Sequence, residues 1–189
     1  MITYTIKHVA KVLKQLKDVG IEGIIIGSTC LSIALGNIDI EGDIDLFTTS
    51  ISPFFDEERI RQIAYQKGWS TGTTELGTPS IILNVEGIDI TVELYENILD
   101  FYIPSESIDI CRQSIEVDGT EITYVAVECW IVFKARRGSD RDILSLSTIK
   151  QFVDEGVLPI NKTLLEKMIE LYEDDKRYIY NRLKNLNLI

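Results

Sequence analysis

The sequence predicts an α+β fold: a mixed sheet with flanking helices and a helical C-terminal part. Three observations predict it. Short apolar runs alternate with polar residues up to about residue 126, as half-buried strands require. Turn signals at Gly27-Ser28, Glu86-Gly87 and Asp118-Gly119 punctuate those runs. After Val127 the apolar residues recur at helical spacing to the end of the chain.

The elements follow in order. Residues 5–19 read as an amphipathic helix, with Val9, Val12, Leu13, Leu16 and Val19 at helical spacing and Gly20 as its stop. Residues 22–26 read as a buried strand, Gly27-Ser28 as a turn, and Thr29 to Leu35 as a second helix. Gly36 to Gly42 is a connector, and residues 43–48 form the next strand. Pro53 breaks the chain; Asp56 is a suitable N-cap for a helix over 57–67, which Gly68 ends. The Thr- and Gly-rich stretch from Ser70 to Pro79 reads as a loop. Residues 80–85 and 88–94 form a hairpin, and a second hairpin joins 114–117 to 121–125. Helices over 128–137, 140–153 and 162–186 complete the chain; Leu165, Met168, Ile169, Tyr172, Ile179, Leu183 and Leu186 form the last stripe. There is no repeat and no obvious linker, so residues 1–150 are expected to form the main domain. Residues 151–189 are expected to be a helical extension packed on it.

Composition narrows the function classes. With 19 basic against 30 acidic residues the formal net charge is −11, which opposes general DNA binding. Cys30, Cys111 and Cys129 are scattered and lack CxxC spacing. They read as buried apolar residues in a reducing, cytoplasmic protein without a zinc site. His8 is the only histidine, so a Ser-His-Asp triad and a multi-histidine metal site are both excluded. No segment has the length or apolar continuity of a signal peptide or a membrane span.

The residues with chemistry to offer lie close together in the first half. Asp43 and Asp45 alternate with Ile44 and Leu46, so both carboxylates point to one face of a strand. Asp89 lies in a second alternating run, Gly87-Ile88-Asp89-Ile90, and Glu93 shares its face as a rival third carboxylate. Such groups beside the Gly27-Ser28 turn make an oxygen-only site suited to Mg²⁺ and a nucleoside triphosphate. Taken singly, each admits a plainer reading. Gly27-Ser28 is also an ordinary strand-to-helix turn, Asp43 and Asp45 a polar edge, and Asp89 a solvent-facing strand residue. Lys134, Arg136, Arg137 and Arg141 form the densest basic cluster, either a phosphate-binding face or a solvated helix end.

Gly27-Ser28, Asp43-Ile44-Asp45 and Ile88-Asp89-Ile90, in that order, resemble the nucleotidyltransferase superfamily with its DNA polymerase β-like fold. The run Lys134-Ala135-Arg136-Arg137-Gly138-Ser139-Asp140-Arg141-Asp142 resembles a motif of its small branch, which includes the AbiEii-like toxins, the MenT-type toxins and the minimal nucleotidyltransferases. Ser145 stands where that motif has a second acidic residue, and the interval from Gly27 to Asp43 is longer than usual in the family. The resemblance implies a catalytic and metal-binding set of Asp43, Asp45 and Asp89, holding two Mg²⁺ ions. It implies nucleotide binding by Gly27, Ser28, Lys134 and Arg137. The expected reaction moves a nucleoside monophosphate from a nucleoside triphosphate to a hydroxyl of a protein, a tRNA or a small molecule, in some relatives as a toxin with an antitoxin partner. The alternative is a silent member of the same fold that binds a nucleotide or a protein.

Overall fold

The structure, a computed structural model, describes residues 3–98 and 100–189. The chain divides into two compact units, each made of two segments. The first is Met1–Tyr102 with Gln113–Tyr124; the second is Ile103–Arg112 with Val125–Ile189. The division expected at residue 150 falls instead inside a helix, Asp140–Asp154. Among the described residues no helix is long and apolar enough to cross a membrane.

The first unit is built on a mixed sheet. Its strands are β2 (Gly23–Ile25), β4 (Ile44–Thr48), β5 (Ser70–Thr73), β6 (Pro79–Val85), β7 (Ile88–Tyr95), β8 (Arg112–Val117) and β9 (Thr120–Val125). Their order is β5-β6-β7-β4-β2-β9-β8, with β4 parallel to β7 and antiparallel to β2. Two further strands, β1 (Thr3–Thr5) and β3 (Asp39–Glu41), pair with each other, Tyr4 opposite Ile40.

Strand alternation sorts the residues as expected. Ile44, Leu46, Ile90, Val92, Leu94, Ile81 and Leu83 are fully or almost fully buried. Asp45, Phe47, Glu93 and Tyr95, on the other face, are half-buried. Helices α1 (Ile6–Lys17) and α3 (Glu57–Lys67) pack against β6, and α2 (Ser28–Ala34) packs against β4. The only histidine of the sequence begins α1: the Thr5 N–H donates to His8 Nδ1 at 3.1 Å.

The second unit is helical. It contains α4 (Ser105–Cys111), α5 (Val127–Arg137), α6 (Asp140–Asp154), α7 (Lys162–Glu170) and α8 (Lys176–Asn185). Helix α5 is central: α4, α6, α7 and α8 all pack on it, and it buries Val127, Cys129, Trp130, Ile131, Val132 and Ala135.

Several expectations need correction. The connector Gly36 to Gly42 contains β3, and the stretch read as a loop from Ser70 contains β5. Helix α4 was not expected. The single helix expected over 162–186 is two, parted at Leu171–Asp175. The run Glu173-Asp174-Asp175 crowds three like charges there, and Asp175 turns to accept from Arg136 Nε at 2.7 Å. All three cysteines are buried, but Cys111 and Cys129 are joined as a disulfide within the second unit, while the Cys30 thiol donates to the Ile25 carbonyl.

Candidate active site

The carboxylate face of the first unit begins at Gly27. This residue ends the β2 segment and caps α2, with φ −92° and ψ −160°. That conformation is open to any residue, so the need for glycine is one of space. A Cβ here would overlap the Asp45 carboxylate and stand 2.7 Å from the Asp45 Cβ. Gly27→Ala is therefore expected to displace Asp45 and to weaken any ligand held by it at least tenfold. Affinity of the variant by titration calorimetry checks this, with equal affinity as the contrary result. Ser28 is exposed at the first position of α2, where helix amides lack intrahelical partners.

Asp45 lies on β4, and the exposed Asp43 immediately precedes that strand. Both carboxylates act on one buried phenol, that of Tyr4, which is 2% exposed. Burial first, then the charges of Asp43 and Asp45, push this phenol up to about 12 against the lowering effect of the Thr29 hydroxyl. At neutral pH Tyr4 is thus a hydrogen-bond donor, and it donates to the Gly42 carbonyl at 3.0 Å.

The parallel ladder between β4 and β7 places the two candidates for a third carboxylate. Asp45 stands beside Glu93, with Ser80 of β6 on the far side of Glu93. Paired residues share a face, so Glu93 is the acidic neighbour of Asp45. Asp89 has the same parity but lies four residues away, about 13 Å along the strand. There it sits opposite Asn84, whose amide donates to Asp89 Oδ1 at 2.6 Å near the hairpin turn. Asp89 is thus not level with Asp45, whereas Glu93 is. Glu93 is oriented by the Tyr95 hydroxyl, which donates to its Oε2, and the Tyr95 ring packs on Phe101 at 5.3 Å.

Among the described residues no three His, Cys, Asp or Glu side chains form a group able to hold a metal by themselves. A nucleotide-bound Mg²⁺ does not need such a cage. It is held by one or two carboxylates, with phosphates and water supplying the rest. The hard oxygen donors of Asp43 and Asp45, two residues apart on one strand face and with Asp45 pressed on a residue that has no Cβ, fit an ion of this kind.

Lys134 and Arg137, in the second unit, converge on Asp142, whose side chain is fully buried. Lys134 Nζ lies 3.0 Å from Asp142 Oδ1. Arg137 donates from Nε to Oδ2 at 2.7 Å and from Nη2 to Oδ1 at 2.6 Å. Ser139 closes a capping box, donating from its amide at 3.1 Å and its hydroxyl at 2.8 Å. Burial raises the Asp142 carboxyl, but the donors from Arg137, Ser139 and Lys134 outweigh it and hold the group well below the usual carboxylate range. The role missed from the sequence is that of Asp142. Its signal was the Ser139-x-x-Asp142 spacing ahead of an apolar run, with Arg137 and Lys134 five and eight residues upstream. Arg182 completes the cluster: it donates to the Ala135 carbonyl, stacks on Tyr178, and occupies the space that a Cβ at Gly138 would need.

Comparison with known proteins follows the same line. No curated protein matches the chain. The antigenic nucleotidyltransferase-like protein from Paracoccidioides brasiliensis has a similar structure, with 16% identity, a TM-score of 0.51, and coverage of 92% of this chain and 91% of that one. The antibiotic-resistance factor ANT(2'')-Ia is similar at 14% identity and a TM-score of 0.48, over 92% of this chain and 95% of that one. The pattern of the family described as "Nucleotidyl transferase of unknown function (DUF2204)" matches residues 5–185, and with nearly its whole length so matched the chain belongs to that nucleotidyl transferase family.

Proposed function

We propose that this chain transfers a nucleoside monophosphate from a nucleoside triphosphate to a hydroxyl on a protein, a tRNA or a small molecule. The observation that carries the reading is the placement of Asp45 against Gly27, with Asp43 two residues before it and Glu93 next to it in the ladder. The acceptor hydroxyl oxygen bonds to the α-phosphorus, the bond from that phosphorus to the pyrophosphate oxygen breaks, and pyrophosphate leaves. Glu93 is the group we assign to take the hydroxyl proton, with Tyr95 holding its second oxygen in place. Gly27 leaves room for the Asp45 carboxylate and presents its backbone to the phosphates, and Ser28 offers them an N–H and a hydroxyl. Mg²⁺, held by Asp43 and Asp45, would supply the positive charge that offsets the triphosphate and the leaving group.

Lys134 and Arg137 stay in the proposal as nucleotide-binding residues, with Asp142 orienting them. The Arg137 side chain keeps 55% of its surface exposed, so its charge stays accessible to phosphate. The setting we propose is cytoplasmic, where nucleoside triphosphates are made. The Cys111–Cys129 disulfide is buried away from thiol reductants there. A toxin with an antitoxin partner is one role that such a transferase could fill.

The direct test is mass spectrometry of candidate proteins, tRNA and small acceptors after incubation with each triphosphate and Mg²⁺. A gain of one nucleoside monophosphate, lost when Mg²⁺ is chelated, is the expected result; no gain on any acceptor class counts against transfer. The assignment of the third carboxylate has its own test. Glu93→Gln is expected to lower turnover about 10²-fold or more, and Asp89→Asn by less than about twofold. Steady-state rates in which Asp89→Asn is the more damaging change would restore Asp89.

A further inference from the structure

We propose that Tyr4 is a positioning residue that, together with Thr29, fixes the spacing between the Ser28 turn and Asp43. The inference rests on the transfer reading above and assigns a role to residues that reading does not use. Tyr4 belongs to β1, which pairs with β3 just ahead of the carboxylate strand. Its hydroxyl reaches past that pair to the Gly42 carbonyl, the residue immediately before Asp43. Thr29 is the residue immediately after Ser28. Its hydroxyl is fully buried, has no hydrogen-bond partner among the described residues, and lies near the Tyr4 phenol. The phenol is therefore bonded to the segment carrying Asp43 and lies near the residue that follows Ser28.

A space-filling role alone would be met by phenylalanine. A buried hydroxyl beside two carboxylates is costly unless its hydrogen bond is used. Here it is used on a backbone carbonyl of the segment that leads into β4. Asp43 is exposed and precedes the strand, so the sheet ladder does not hold it as it holds Asp45. The Tyr4 bond supplies that restraint.

The experiment compares Tyr4→Phe, Thr29→Val and Thr29→Ser with the unmodified full chain. Backbone hydrogen exchange over residues 39–45 is read by mass spectrometry, and Mn²⁺ binding without nucleotide by electron paramagnetic resonance. Tyr4→Phe and Thr29→Val are expected to speed exchange in that segment and to weaken Mn²⁺ binding, each about three- to tenfold. Exchange in β6 and β7 is expected to be unchanged. Thr29→Ser, which keeps the hydroxyl, is expected to behave as the unmodified chain. Unchanged exchange over 39–45 in Tyr4→Phe overturns the proposal. So does faster exchange with unchanged Mn²⁺ affinity, which would make Tyr4 a core residue only. If the unmodified chain binds no Mn²⁺ without nucleotide, the ion needs the phosphates as ligands, and exchange alone then decides for or against the Tyr4 link.

Discussion

Asp45→Asn is expected to reduce nucleotidyl transfer a hundredfold or more while leaving the fold as stable as before, or more so. Charge stabilisation by a bound cation is worth several kcal/mol, and about 1.4 kcal/mol corresponds to each tenfold in rate. Asp45 is half-buried, with Glu93 beside it in the ladder and Asp43 on the same phenol. Without a cation these like charges repel one another, so neutralising one relieves strain in the free protein. The opposed signs set Asp45 apart from an ordinary surface carboxylate, whose loss would alter neither quantity much. Single-turnover rates and a thermal melt on the same preparation check both. Retained transfer would remove Asp45 from the site.

The largest effect on stability is expected at Asp142. Removing Lys134 and Arg137 together leaves a fully buried carboxylate with Ser139 as its remaining donor among the described residues. The cost is about 3–5 kcal/mol, the range for breaking a buried ion pair from one side. Adding Asp142→Ala to that double variant is expected to recover part of the loss, because the stranded charge is then gone. Urea denaturation of the three chains at neutral pH measures the cycle. The pH dependence follows from the depressed Asp142 carboxyl. A group whose pKa is lower folded than unfolded stabilises fully above its unfolded value, roughly pH 4. That contribution is lost as pH falls from there through the folded value. The unmodified chain should therefore lose stability more steeply below pH 4 than a chain lacking both cations. Lys134 and Arg137 also cannot be tested by kinetics alone, since their removal disturbs the fold that any nucleotide contact would need.

Local chemistry made much of this legible. Ile24 to Gly27, the alternation through Asp43 and Asp45, and the Asp56 and Gly68 limits of α3 are all readable within a few residues of sequence. What the sequence withheld was non-local. Tyr4 pairs with Ile40, so neither three-residue strand has a partner visible nearby. The Ser70–Thr73 strand is polar and lies at the sheet edge, where no apolar alternation is required. The choice between Asp89 and Glu93 was of the same kind. Alternation fixes which face a residue takes, and both carboxylates take the same one. A shift of the ladder by two or four residues preserves that face, so register across β4 and β7 was needed to choose. Asp142 hid in plain view as a cap, because a capping box does not announce what else its carboxylate holds.

The link between Tyr4 and Gly42 also divides the long interval from Gly27 to Asp43 into two parts with different tolerance to length change. Residues 36–38 form its outer turn, where Ile38 is 80% exposed. Loop-closure cost grows only with the logarithm of loop size, so residues inserted there would lengthen an already open excursion at little expense. Residues 39–41 are paired with β1, and Gly42 is held by the phenol. One residue added among them would turn Ile40 from its pocket and carry Gly42 off its donor. Related chains that differ in length should therefore differ ahead of Asp39, and keep the count from that residue to Asp45.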